Sequence, residues 1–353
     1  MIKIRPVTKP ADFPIIAQVL TAVDPEWPVT PEMVERWDQQ RNPKYHSADF
    51  VAEYADAGVV AVAGLGEDDW AWEEGKYWLN VRVHPDFRSK GIGSALYEHL
   101  MNHLQTQAPV APKKVLCMFG EDKPETRAFV EKRGFVLEWK RYESRLQTQG
   151  FDFAPYAHIE ARVREAGLEI RSLAELMTAD PEAARKLWEL DWILFQDVPM
   201  GVTFTKREFE QWMKEELDDP HFVKEASFVA LDPKRHDPLT GHFVGYTSLM
   251  NNPAGFWVIG MTGVLREYRG KGLAKALKLR GMRYVQANGG GEIRTFNDPP
   301  NFVMYGMNLA IGFEPYPSRL RYMKRLDGQP VEPFDESKYR RGLEERVYER
   351  AEG

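Results

Sequence analysis

The residues best suited to chemistry in this sequence lie in Arg269-Gly-Lys-Gly272-Leu-Ala274, where a strand-like run passes through two glycines into a helix. Upstream, Phe256-Trp-Val-Ile259 continues to Val264 as a β-rich apolar run. Downstream, Leu273, Ala276, Leu277, Gly281, Tyr284 and Val285 recur at spacings of three and four, which puts them on one helix face. The first N–H groups of a helix lack intrahelical partners and carry the positive end of its dipole, so the arrangement predicts a phosphate site. Gly270 and Gly272 keep the approach free of a Cβ. Two familiar phosphate loops are excluded by spacing. A nucleotide P-loop needs Ser or Thr after its lysine, and Lys271 is followed by Gly272. A dinucleotide fingerprint needs Gly or Ala where Lys275 stands.

The same layout occurs earlier in the chain. Val81-Arg-Val83-His-Pro-Asp-Phe-Arg88-Ser89-Lys90-Gly91-Ile92-Gly93-Ser94 repeats the strand, the loop and the helix start, with Arg88 lying 181 positions before Arg269. Thr30 to Trp37 echoes Thr205 to Trp212 at an offset of 175, and Phe50-Val-Ala52 echoes Phe228-Val-Ala230 at 178. Gly134-Phe135 echoes Gly312-Phe313 at 178, and the openings Ile4-Arg5 and Ile170-Arg171 are offset by 166. Ordered matches of this kind predict two copies of one domain, at residues 1–146 and 168–326, with a connector at 147–167 and a charged tail at 327–353. The tail, with Arg340-Arg341 and Glu344-Glu-Arg346, is expected to form a solvated helix that packs on the body or frays.

Composition agrees with this count. A chain of 353 residues suits two domains at about 100–200 residues each. A net charge of −6 argues against a general nucleic-acid partner. The single cysteine, Cys117, excludes internal disulfides and cysteine-rich zinc sites, and it fits a reducing cytoplasm. No run approaches the roughly 18 apolar residues of a membrane span, so neither export nor a membrane partner is expected.

The elements that must position the two loops alternate between strand and helix, which places the chain in the α/β (α+β) class. In the first copy we expect a strand at 2–7, a helix from Ala11, and a helix behind Thr30 as N-cap with Pro31 at its first position. A hairpin across Ala55-Asp-Ala-Gly58, a strand at 76–83 and the helix stripe Ile92, Leu96, Leu100, Leu104 follow. A strand at 113–118, a helix at 125–132 ended by Gly134 and a last strand from Phe135 complete the copy. The second copy predicts a strand at 168–173, a helix from Pro181 capped by Asp180, and a helix after Thr205. Strands at 226–231, 242–250 and 292–296 follow, with Asn288-Gly-Gly-Gly291 closing the loop helix. His99 and His103 have the i, i+4 spacing of metal ligands, but no acidic or cysteine partner accompanies them, and no metal site is assigned.

The last helix of the second copy is expected to be capped by Asp298, opened by Pro299-Pro300 and ended by Gly312. Asn301, Met304 and Asn308 then share a face, with Asn297 just ahead of it. Buried amides need partners. The pattern reads either as capping plus one satisfied core amide, or as a set of ligand contacts. At the matching offset of 178 the first copy has Lys123, Thr126 and Val130, so its helix lacks this polar face.

The two Arg-x-x-Gly-x-Gly/Ala loops, with Thr262-Gly-Val264, Thr295-x-Asn297, Asn301-x-x-Met304, Asn308 and Gly312-Phe313, resemble the GNAT family of N-acetyltransferases over nearly the whole chain. The second copy is similar to tandem GNAT proteins related to mycothiol synthase. The resemblance implies two tandem GNAT domains, each a mixed, mostly antiparallel twisted sheet flanked by helices, with acetyl-CoA as co-substrate and no metal. It implies that the strands holding Val81 and Val83, and Val264, pair with the pantetheine arm. Arg88, Ser89, Lys90, Gly91, Ile92, Gly93 and Ser94, and Arg269, Gly270, Lys271, Gly272, Leu273 and Ala274, would bind the pyrophosphate. Asn297, Asn301 and Asn308 would contact the arm and the acyl carbonyl.

The implied reaction is attack of an amine on the thioester carbonyl of acetyl-CoA, with departure of the thiolate. Many members of the family protonate that thiolate with a tyrosine at the position held here by Val130 and Asn308, neither of which is an acid. Tyr305, one turn away, reads as its substitute or as a core tyrosine. Asp197 lies where the family builds its acceptor pocket and reads as a base or as an ordinary loop aspartate. The expectation is an N-acetyltransferase with a small-molecule amine acceptor and a catalytic C-terminal copy. The alternative is an acetyl-CoA-binding sensor or scaffold.

Overall fold

The computed structural model describes residues 1–339, so the charged helix expected at Arg340 to Arg346 lies outside the described residues. The described residues pack into two compact units, an N-terminal one of Met1–Lys140 with Arg319–Phe334 and a C-terminal one of Arg141–Ser318 with residues 335–339.

In the N-terminal unit, β1 (Ile2–Pro6), β2 (Ser47–Tyr54), β3 (Val59–Gly66) and β4 (Lys76–Val83) form an antiparallel run. β4 then pairs in parallel with β5 (Lys114–Gly120). β5 pairs antiparallel with residues 319–325, the end of β12 (Glu314–Arg325). Alternation along β2 sends side chains to two cores. Phe50 and Ala52 pack with α3 (Ile92–Gln107), whereas Val51 packs with α1 (Phe13–Val23) and α2 (Pro31–Gln40). The predicted stripe Ile92, Leu96, Leu100 and Leu104 is fully buried, each side chain contributing about 2 kcal/mol of apolar transfer. Thr30 caps α2 as expected, its hydroxyl accepting the Met33 N–H at 3.3 Å. α4 (Pro124–Glu131) and the start of β6 (Val136–Gln147) follow.

The C-terminal unit repeats the plan. β7 (Glu169–Ser172), β8 (Phe228–Leu231), β9 (Phe243–Asn251) and β10 (Trp257–Val264) run antiparallel, and β10 pairs in parallel with β11 (Glu292–Asn297). β11 pairs antiparallel with residues 142–147, the end of β6. Each sheet is therefore mixed and mostly antiparallel. β6 starts in the first unit and ends in the second, while β12 does the reverse.

Local chemistry moved several boundaries. Ser172 and Glu175 form a capping box that nucleates α6 (Leu173–Ala179), a helix the apolar spacing did not predict. α7 (Ala183–Phe195) starts later than expected, because Asp180 ends α6 and its carboxylate accepts the Glu182 N–H at 2.9 Å. α8 (Phe209–Trp212) continues as a π turn over Met213–Leu217. Within the expected connector lies α5 (Ala157–Glu165), which packs on α9 (Leu273–Ala287) inside the C-terminal core. Glu160 joins Arg283 at 2.8 Å and Arg280 at 3.2 Å across that contact. Pro299–Asn301 is a tight turn, closed by the Asn301 N–H on the Asp298 carbonyl at 2.9 Å, so α10 (Phe302–Ile311) begins one turn later than predicted. No helix among the described residues is long and apolar enough to cross a membrane.

Candidate active site

The two loops have the same backbone. Arg88 (φ −65°, ψ 164°) and Arg269 (φ −69°, ψ 160°) are extended after short turns at Pro85–Phe87 and Arg266–Tyr268. Ser89 and Gly270 then turn to φ +60° and +79°, and Gly91 and Gly272 to +80° and +82°. A left-handed residue at the last position is what glycine permits without strain. The helical ladders begin at Ala95 N–H to Gly91 O and Ala276 N–H to Gly272 O, both 3.0 Å. The amides of residues 92–94 and 273–275 consequently have no intrahelical acceptor and point their dipoles out of the turn.

Beside each loop the parallel strands separate. The β4–β5 ladder ends at Trp78 and Leu116, and the β10–β11 ladder ends at Val258 and Arg294. Past those points β4 and β10 keep one ladder each, to β3 and β9. The other edge, which includes Val81, Val83 and Val264, faces a gap of the kind an extended amide chain fills by strand addition.

What stands in the gap differs. In the N-terminal unit the Arg82 guanidinium bridges it, donating to the Val81 and Met118 carbonyls at 3.3 Å each. The same position in β10 is Gly263, where a Cβ would come within 3.0 Å of Leu194. β10 also carries a β-bulge between Ile259 and Thr262, absent from the β3–β4 ladder. The Ser248 hydroxyl accepts the Met261 N–H at 2.9 Å within the bulge. Bulges re-aim a strand, and they concentrate beside functional sites.

The helix after the parallel strand differs as well. Asn308 is fully buried on α10 and donates from Nδ2 to Oδ1 of buried Asn297 at 2.8 Å, while its own Oδ1 has no partner. Such an orphaned buried acceptor is costly unless something donates to it. Asn301 is only half-buried at the N-cap of α10 and makes no side-chain cap bond, so the structure joins Asn297 to Asn308 and leaves Asn301 apart. Tyr305 stacks on Tyr142 with ring centres 5.0 Å apart. Val130, the counterpart of Asn308, belongs to the N-terminal core.

Asp197 is placed at the second glycine loop. Its carboxylate accepts from Arg266 Nε at 3.1 and 3.2 Å and from Arg269 Nη2 at 2.5 Å, and Arg269 Nε also donates to the Val264 carbonyl at 3.0 Å. Hydrogen bonding from Arg266 leads in holding this carboxyl below the usual carboxylate range. A carboxylate held so is a poorer proton acceptor than a free one. Lys271 Nζ lies 4.8 Å over the Tyr268 ring, and Lys90 Nζ 4.7 Å over the Phe87 ring, where it donates to the Asp86 carbonyl at 3.1 Å. The Ser94 hydroxyl accepts from Arg133 at 2.7 Å.

Three groups escaped the sequence reading, two in the C-terminal unit and Arg82 in the N-terminal one. The Asp191 carboxylate, its pKa raised by burial, accepts from Trp212 Nε1 at 2.9 Å and from the Tyr246 hydroxyl. Trp212 is 3% exposed whereas its sequence echo Trp37 is 46% exposed, so the cluster has no equivalent in the first copy. Lys278 on α9 is 1% exposed, with its amine 5.9 Å from the centre of the Phe313 ring. The repeat carried a signal for it, because the residue 181 positions earlier is Tyr97, also buried. Arg82 had no signal beyond alternation. Among the described residues no group of histidine, cysteine or carboxylate side chains is arranged to hold a metal.

A profile of the acetyltransferase (GNAT) family matches residues 16–135 and 158–313. The mycothiol acetyltransferase of Thermobifida fusca (strain YX) is 25% identical over 253 residues, which cover 69% of this chain and 72% of that protein. The one from Parafrankia sp. (strain EAN1pec) is 24% identical over 294 residues, covering 78% and 82%. Among solved structures, a tandem GNAT protein from the clavulanic acid biosynthesis pathway aligns with a TM-score of 0.68 at 20% identity, over 95% of this chain and 100% of that one. A GCN5-related N-acetyltransferase from Sphaerobacter thermophilus aligns with a TM-score of 0.64 at 18% identity, over 94% and 98%.

Proposed function

We propose, from the premise that this chain belongs to the acetyltransferase (GNAT) family and is an acyltransferase, that it moves an acetyl group from acetyl-CoA to a small-molecule amine. The C-terminal copy carries the transfer. One observation supports this assignment above the rest: Arg82 bridges the strand gap of the first copy, and Gly263 leaves the corresponding position of the second without a side chain.

Acetyl-CoA supplies an activated thioester, and everything else falls to the chain. The N–H groups of Leu273, Ala274 and Lys275 receive the diphosphate oxygens at the positive end of α9. The free edge of β10 holds the amide arm. The bulge turns the strand toward the reacting carbonyl, and the Asn308 carboxamide, fixed by Asn297, presents an acceptor to an N–H group. Neither asparagine titrates, so the thiolate leaves without an acid from this pair. A thiol with a pKa near 8.5 needs little protonation at neutral pH. The proton of the attacking amine passes to water. The residues between α7 and α8 border the acceptor, and the names of the curated relatives favour a small molecule there.

Calorimetric titration with acetyl-CoA tests the assignment. One equivalent is expected, lost in Gly272→Glu and kept in Gly91→Glu. Two equivalents in the wild type would mean that both loops are open sites, and the opposite response of the two variants would reverse the roles of the copies.

A further inference from the structure

The Asp197 carboxylate is 17% exposed and is shared by two guanidiniums whose side chains are 78% and 49% exposed. One of them, Arg269, is the first residue of the diphosphate loop and is tied to the end of β10 through Val264. Asp197 itself opens the segment between α7 and α8, just after the Asp197 N–H bond to the Leu194 carbonyl at 3.1 Å. The pair of arginines thus joins two elements that are distant in sequence. Exposed arginines favour a doubly charged phosphate group over a single carboxylate, because charge and bidentate geometry both improve.

We propose that Asp197 is a positioning residue that competes with bound diphosphate for Arg266 and Arg269, so that filling the diphosphate loop releases the segment at residues 196–208. The inference rests on the reading of that loop as the acetyl-CoA site. With the loop empty, Asp197 holds the segment against it. With the loop filled, the arginines turn to the phosphates, and the carboxylate and the segment that carries it are left without them.

A residue with a purely structural role would weaken binding when replaced. Competition predicts the reverse. Calorimetry with coenzyme A as the probe should show about fivefold tighter binding by Asp197→Asn than by the wild type at low ionic strength, with the difference shrinking in roughly 0.5 M salt as screening removes the carboxylate's repulsion. Asp197→Glu, which restores the charge, should bind like the wild type. Hydrogen exchange gives the second readout. Coenzyme A should speed exchange at the Val198 and Met200 amides of the wild type, which now bond to the Phe195 and Val198 carbonyls at 3.0 and 2.9 Å. In Asp197→Asn those amides should already be fast and should not respond. Equal or weaker binding by a folded Asp197→Asn, or unchanged exchange on coenzyme A addition, would overturn the inference while leaving the acetyl-CoA site standing. Absence of coenzyme A binding in the wild type would sink both.

Discussion

Two strand-loop-helix corners of this molecule share one backbone and differ in what that backbone serves. Ser89 adopts the left-handed turn that Gly270 adopts, at the strain cost an L residue bears there, so the loop geometry persists even without its preferred residue. The neighbouring positions diverge. Arg82 against Gly263, Val130 against Asn308, and a regular β4 against a bulged β10 all separate a filled corner from an open one. A phosphate loop is a local device set by a few dihedrals, whereas transfer depends on side chains brought in by separate elements.

The sharpest way to break this comparison is to block each loop in turn. Gly272→Glu places a carboxylate and a Cβ on a left-handed residue at the anion site, and it should lower thiol release from acetyl-CoA at least about a thousandfold, or roughly 4 kcal/mol. Gly91→Glu should leave that rate within about twofold. A thiol-release assay across an amine panel reads both, and equal losses would erase the distinction.

The next contrast is Lys278 against Tyr97. Burial pulls the Lys278 amine from its usual 10.5 to about 7, so the folded state binds fewer protons than the unfolded one between those values. The penalty is full below about pH 7 and is relieved as pH rises toward 10.5. At about 1.4 kcal/mol per unit, Lys278→Met should stabilise the protein by about 4 kcal/mol at pH 7. Raising the pH from 7 to 9 should stabilise the wild type by about 2 kcal/mol more than the variant. Denaturant melts at both values check this, and parallel pH profiles would contradict it.

Smaller effects follow from exchanging residues between the copies. Asn308→Val, which gives α10 the residue of α4, should cost about tenfold in rate by removing the Asn297 partner and the free acceptor. Arg82→Gly should add a weak second equivalent of acetyl-CoA in calorimetry, with an affinity gain of only a few-fold over wild-type background binding. Unchanged stoichiometry in that variant would mean that Arg82 does not close the first corner.

Much of this was legible in the sequence because it is local. Strand alternation, the stripe on α3, the Thr30 cap and both glycine turns depend on neighbours within a few positions. The Asn297–Asn308 pair was anticipated in kind, as polar residues at one end of a helix with an unmet need for partners. Asp197 reads in the sequence as a base or as an ordinary loop aspartate, and its ion pairs were not legible, because nothing in its surroundings in sequence reveals two arginines 69 and 72 positions away. Neither Lys278 nor Arg82 was singled out by its sequence pattern. Their burial and bridging depend on Phe313 and Met118, which only the fold supplies. The one-residue bulge in β10 cannot be told from loop-length variation between copies.

The crossing of β6 and β12 between the units bears on the order in which the chain is made. Residues 114–120 pair with residues 319–325, about 200 positions later, so the N-terminal sheet lacks an edge partner until residues 319–325 have left the ribosome. The C-terminal sheet needs only residues 142–147, which are synthesised before it. Contacts at such sequence separation close slowly. The second copy should therefore complete itself first, and the first copy should mature after it, with an open β5 edge that is exposed to aggregation in the interval.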